Sequence, residues 1–245
     1  ITKYMLFRWL LGITLAIALQ LPAQQSPQDR RTAVSRGEWS AQTVSLFNTW
    51  GGLDSNPGRV MTLPSPDGNK IIQVRNETVG IVIDGKGYRT KLGEKTSAEL
   101  GWAPDSQHFF LTWTDGGDTG TWHIELYSLT DSGVKQITRF ESNVRSDFER
   151  RIRQLPIPKF ASNMDRQYWL GKEYCEANLV GAQWVKGSQE LVISALVPNV
   201  GICRFASKFE VYRVAVPSGR ILQRYKPREA YKEFDRESLP RIADE

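Results

Sequence analysis

Through most of this chain, short apolar runs alternate with polar positions, and turn residues separate the runs at regular intervals. A period of two marks strands with one buried face. From Gly58 onward the runs fall into groups of four. The first group predicts strands over 59–63, 70–75, 79–84 and 88–92, with SPDGN and DGKG among its turns. The second predicts 99–103, 108–114, 121–129 and 134–138, separated by PDSQ, DGGDTG and TDSG. The third predicts 180–185, 190–196, 208–216 and 220–225, with KGSQ, a longer 197–207 connection and PSG between them. Four strands per repeat is the content of one propeller blade.

A shared phrase marks each group: Ser65-Pro66-Asp67-Gly68-Asn69-Lys70-Ile71-Ile72, then Trp102-Ala103-Pro104-Asp105-Ser106-Gln107-His108-Phe109-Phe110, then Trp184-Val185-Lys186-Gly187-Ser188-Gln189-Glu190-Leu191-Val192. The first interval, Ser65 to Ala103, is 38 residues, and the second, Ala103 to Val185, is 82. Blades repeat at about 40–50 residues, so the second interval holds one extra period. An insertion over 139–179 fills it. Phe148, Ile152 and Leu155 stand at helical spacing among charges, and Pro156 stops the helix. The SPDGNKI and WAPDSQHF segments resemble the TolB-type propeller repeat, also called the Pro-Asp or WD-like repeat of bacterial exported proteins. The resemblance covers about 58–225 and is weaker in the third copy, where Lys186-Gly187 replaces Pro-Asp. It implies a β-propeller and a periplasmic interaction platform. Asp67 and Asp105 read as turn residues whose carboxylates accept backbone N–H groups, not as catalytic acids.

Closed propellers need about four to eight blades, and three repeats are visible. The expected fold is therefore all-β, a partial or small propeller of four-stranded antiparallel blades with a short helical insertion. Residues 37–57, with Trp39, Leu46, Phe47 and Trp50, are expected to give an edge or closing strand. Together with 141–179 they are expected to make a cryptic fourth sheet. The alternatives are completion by another chain, or a sequence that is a fragment.

Residues 1–23 change the picture of where the protein works. Lys3 and Arg8 precede the apolar run Leu10–Leu19, and Leu21-Pro22-Ala23 follows it. This is the grammar of a secretory signal, with an uncut N-terminal anchor as the other reading. A flexible lead-in is expected over 24–36. Loss of Lys3 and Arg8 takes the net charge from +5 to +3, which weakens the case for a nucleic-acid partner. Cys175 and Cys203 suit one disulfide in an exported chain, with two buried thiols as the alternative.

Propeller topology sends the tight PDG-type turns to one face and the irregular connections to the other. The loop-rich face is expected to bind whatever is bound, since rigid scaffolds carry function on such loops. Asp115 and Asp118 there suit either a solvated hairpin turn or a Ca²⁺ pair, the turn being favoured. Arg145, Arg150, Arg151, Arg153 and Lys159 outnumber Asp147 and Glu149 in the insertion. They suit an acidic partner or lipid headgroups, or else a solvated helix with local ion pairs. The expected partner-binding set is Asp115, Asp118, Arg150, Arg151, Arg153 and Arg204. His108 and His123 read as strand residues beside aromatics, and no metal or cofactor is expected. The tail over 226–245, with six acids and five bases, reads as a polar helix or a disordered end.

No G-x-S-x-G elbow, P-loop or G-x-G-x-x-G occurs in the sequence, so an enzyme is not expected. The expected function is an exported module, periplasmic or secreted, that binds a protein or peptide. Membrane contact is expected only through an uncut signal or a weak surface contact. The alternatives are an envelope component completing its propeller with another chain, or a hydrolase.

Overall fold

The computed structural model describes residues 40–48, 60–75, 78–83, 86–91, 97–114, 121–156, 176–198 and 205–240. The signal-like segment, both cysteines, Asp115, Asp118 and Arg204 lie outside the described residues.

Each repeat becomes one antiparallel meander. Blade 1 is β2 (Val60–Pro64), β3 (Lys70–Arg75), β4 (Thr78–Ile83) and β5 (Lys86–Lys91). Blade 2 is β6 (Ser97–Trp102), β7 (His108–Thr114), β8 (Trp122–Thr130) and β9 (Gly133–Ile137). Blade 3 is β10 (Asn178–Val185), β11 (Glu190–Leu196), β12 (Phe209–Ala215) and β13 (Ile221–Tyr225). The strand β1 (Val44–Asn48) pairs antiparallel with β6 as the fifth strand of blade 2. Helix α1 (Arg139–Arg153) follows β9, and α2 (Pro227–Glu233) follows β13. The fold is all-β and propeller-like.

The blades stack in series. Leu63, Ile72, Val74 and Ile81 of blade 1 meet Leu100, Phe109, Leu111 and Leu129 of blade 2, with Leu46 of β1 in the same core. The opposite face of blade 2 presents Phe110, Ile124 and Leu126 to Leu179, Trp184, Leu191, Ile193 and Tyr212 of blade 3. Strict alternation produces this division: Phe109 and Phe110 are neighbours in sequence and serve different cores. Gly101 and Gly181 bracket the Phe110 ring so closely that a Cβ on either would penetrate it.

The repeated turns also join the blades. Asp67 N–H donates to Ser106 Oγ at 3.0 Å, and Asp105 N–H donates to Ser188 Oγ at 2.9 Å. Each turn of one blade is thus latched to the turn of the next. Inside the turns, Asp67 Oδ1 accepts from Asn69 N–H at 3.0 Å, and Asp105 Oδ1 accepts from Gln107 N–H at 2.8 Å. Hydrogen bonds from the Ser65 hydroxyl and Asn69 N–H hold the Asp67 carboxyl well below the usual range.

Helix α1 packs between blades 2 and 3, against β8, β11 and β12. Phe140, Val144, Phe148 and Ile152 form its buried stripe. Leu155, expected on that stripe, lies past the helix end and is 38% exposed, because the helix stops at Arg153. On the far face of blade 3, Ala230, Phe234 and Leu239 cover Ala182, Val192, Val211 and Tyr225. The tail that read as polar therefore carries an apolar stripe and packs on blade 3. The expected fourth sheet is absent among the described residues. Residues 44–48 join blade 2, where Leu46 reaches the blade 1–2 core, and 139–153 are helical.

Candidate functional site

Strand register sorts the connections to two ends. The turns at 66–69, 104–107 and 186–189, with those after β4, β8 and β12, share one end. At the other end Ser97 pairs with Thr114 and Thr114 with Trp122, while Asn178 pairs with Leu196 and Leu196 with Phe209. Trp122 N–H donates to Asn178 Oδ1 at 3.0 Å, which joins these ends of blades 2 and 3. Residues 115–120 and 199–204 interrupt the described chain at this end, and the stretch 157–175 returns to it at Glu176.

The described part of this end holds a polar cluster. His123 Nδ1 lies 2.9 Å from Glu141 Oε1, and its ring stacks on Trp113 with centroids 4.4 Å apart. Arg145 donates to Glu141 Oε1 at 2.7 Å and to the Trp122 carbonyl at 3.2 Å, and it also donates to the Ala177 carbonyl. It also lies 3.2 Å from Glu176 Oε1 and 3.4 Å from His123 Nδ1. Burial alone would raise the Glu141 pKa. The hydrogen bonds from His123 and Arg145 outweigh that and hold it below the usual range. Two β8 residues, Trp122 and His123, one side of α1 and the approach to β10 are thereby tied together. Sequence reasoning missed this cluster: the i, i+4 spacing of Glu141 and Arg145 is its one local signal, and nothing local points to His123 as their partner. His108 instead contacts Asp105, within its own turn, at 2.9 Å.

The basic residues of α1 separate into distinct roles. Arg151 binds Glu210 through Nε at 2.9 Å and a terminal nitrogen at 2.8 Å. Arg150 pairs with Asp147, and Arg153 lies 3.9 Å from Glu149. Asp147 is buried and also receives Arg224 Nε at 2.6 Å and the Tyr212 hydroxyl at 3.3 Å. Desolvation pushes its pKa up, but the Arg224 and Arg150 hydrogen bonds pull it further down. Burial, with Glu210 and Asp147 alongside, pushes the Tyr212 hydroxyl far above its usual value. Arg150, Arg151 and Arg153 thus share the last turns of α1, and Arg151 is committed to blade 3.

Among the described residues, no group of three His, Cys, Asp or Glu side chains could hold a metal ion. No described helix is long and apolar enough to cross a membrane.

The stacked meanders and the sorting of connections define a class: an all-β, partial propeller-like protein with a helical insertion. No family model matches the chain, and no curated protein matches it. A solved structure assigned as a TolB from Agrobacterium tumefaciens is similar at 14% identity with a TM-score of 0.30. The match covers 67% of this chain and 44% of that one, so the chain spans less than half of that structure's length.

Proposed function

We propose that this chain is an exported, non-enzymatic propeller module that binds a protein or peptide partner through its loop-rich end. The sorting of connections carries this reading. One end is closed by short turns latched blade to blade, which leave little to vary. The other end gathers the long connections on a scaffold braced by Arg145 and Arg151. The His123–Glu141 contact supports bracing rather than catalysis, because Arg145 shares the same carboxylate and Trp113 covers one ring face.

Site-specific photo-crosslinking in producing cells tests the proposal. A photoreactive residue at Thr121, Glu176 or Ser207 should give a discrete higher-mass adduct. The same residue at Asn69, Gln107 or Gln189, on the latched end, should give none. Adducts from the latched end alone, or from both ends equally, would refute the assignment.

A further inference from the structure

We propose that the outer groove between α1 and the β12–β13 turn is a binding site for an acidic peptide segment. The site goes beyond the loop-rich end, since one wall is a turn of the opposite end. The groove is a shallow, open depression of about 540 Å³. Ser142, Ser146 and Arg150 line one wall as an i, i+4, i+8 stripe along α1, and Arg220 stands on the other. Such a stripe is about 12 Å long, the reach of roughly four extended residues.

The walls are fixed relative to each other. Asn143 Nδ2 donates to the Gly219 carbonyl at 3.1 Å. Gly219 has φ +69°, and a Cβ there would lie 2.9 Å from Phe140 Cβ. The turn is therefore seated directly on the first turn of α1, and Arg220 follows it immediately.

The charge balance favours an anion. Asp147 is the acid lining the groove, and Arg224 already engages both its oxygens, at 2.6 and 3.0 Å. Arg150, 62% exposed, adds a second cation to the same carboxylate. Arg220 is exposed and has no acidic partner among the described residues. The groove thus keeps a positive surplus beside the Ser146 hydroxyl, the Ser142 hydroxyl donating to the Arg139 carbonyl at 3.0 Å, and this suits carboxylate side chains held by guanidinium and hydroxyl donors. A lipid surface fits less well. Binding at a membrane interface needs an exposed apolar face. Phe140, Val144, Phe148 and Ile152 are all buried between blades 2 and 3.

The test is fluorescence anisotropy with the full chain and a fluorescein-labelled hexaglutamate peptide at low salt. Saturable binding is expected. Arg220→Glu should weaken it at least fivefold, and Ser146→Asp should act in the same direction while leaving the Arg224–Asp147 pair in place. Arg153→Glu makes the same charge change outside the groove and should alter affinity less than twofold. Circular dichroism melting verifies that each variant is folded, and Ser146→Asp keeps the test decisive if Arg220→Glu is not. Absence of saturable binding at millimolar peptide, or equal weakening by all three variants, would overturn the proposal. So would tighter, Arg220-dependent binding to phosphatidylglycerol vesicles than to the peptide. Crosslinks from the loop-rich end should persist in Arg220→Glu, so the two proposals fail separately.

Discussion

Blades 1 and 2 meet through apolar side chains and, among the described residues, one hydrogen-bonded latch from Asp67 to Ser106. Blades 2 and 3 meet through a comparable apolar layer plus a helix and several bonds across the gap. Gly181 N–H donates to Thr112 Oγ1 at 3.0 Å, Trp184 Nε1 donates to the Gly101 carbonyl at 3.2 Å, and Asp105 is latched to Ser188. The same repeat therefore stacks without α1, and the helix is not required for blade-on-blade packing. Its contribution is an added layer on blade 3, where Phe148 joins the core shared with blade 2 and Asp147 clasps Arg224 of β13. The first junction is a plain stack, while the second is a stack with a wedge.

The largest effect should come from emptying the wedge. Phe148→Ala removes a fully buried ring and should cost about 3–5 kcal/mol in urea unfolding. Hydrogen exchange should then quicken in β12 and β13 more than in β3 and β4. Uniform quickening through all three blades would mean the junctions do not differ. Next is the clasp. Asp147→Asn leaves Arg224 and Arg150 without their shared anion and should cost about 2 kcal/mol at pH 7. Because the folded pKa of Asp147 is depressed, its contribution is complete above the ordinary value of 3.8 and fades as pH falls below it. Unfolding series at pH 7 and pH 3 should show the gap between wild type and Asp147→Asn closing at the lower pH. A gap that stays constant would remove the clasp from the account.

The latches should be smaller and equal. Ser106→Ala and Ser188→Ala each leave one turn N–H without its acceptor, worth about 1 kcal/mol. A Ser188→Ala loss much above that of Ser106→Ala would show that the wedge and the latch act as one unit. Smallest of all is Arg153→Ala. Its side chain is 57% exposed, and melting should detect less than about 0.5 kcal/mol.

Much of this architecture was legible in the sequence because alternation and turn chemistry are local. The expected strands 70–75, 108–114 and 190–196 match β3, β7 and β11 in the structure. The Pro-Asp turns marked the first hairpin of blades 1 and 2 because Asp67 and Asp105 act within their own turns. What stayed hidden depends on distant partners. Val144 and Phe140 belong to the stripe of α1 only because blade 3 lies opposite. The value of Ala230, Phe234 and Leu239 appears only once blade 3 has a bare face to cover. The basic cluster of α1 was visible, but Glu210 and Asp147, which divide it, meet it from 59 residues away in one case and within the helix in the other.

The latches also have a direction. Ser106 and Ser188 each accept from the preceding blade. Gly68 holds the equivalent place in blade 1 and has no hydroxyl to offer. Lys186-Gly187 stands where the donor turn of blade 3 would have Pro-Asp, and α2 covers that blade's far face.

The Phe110 ring occupies a hollow made by two absent side chains, one in its own blade and one in the next. Three positions, 101, 110 and 181, thereby act as a single gauge for the distance between two sheets. A methyl group gained at either glycine must be matched by bulk lost from the ring. Sequence drift can reset that spacing only by coordinated steps at sites as much as 80 residues apart.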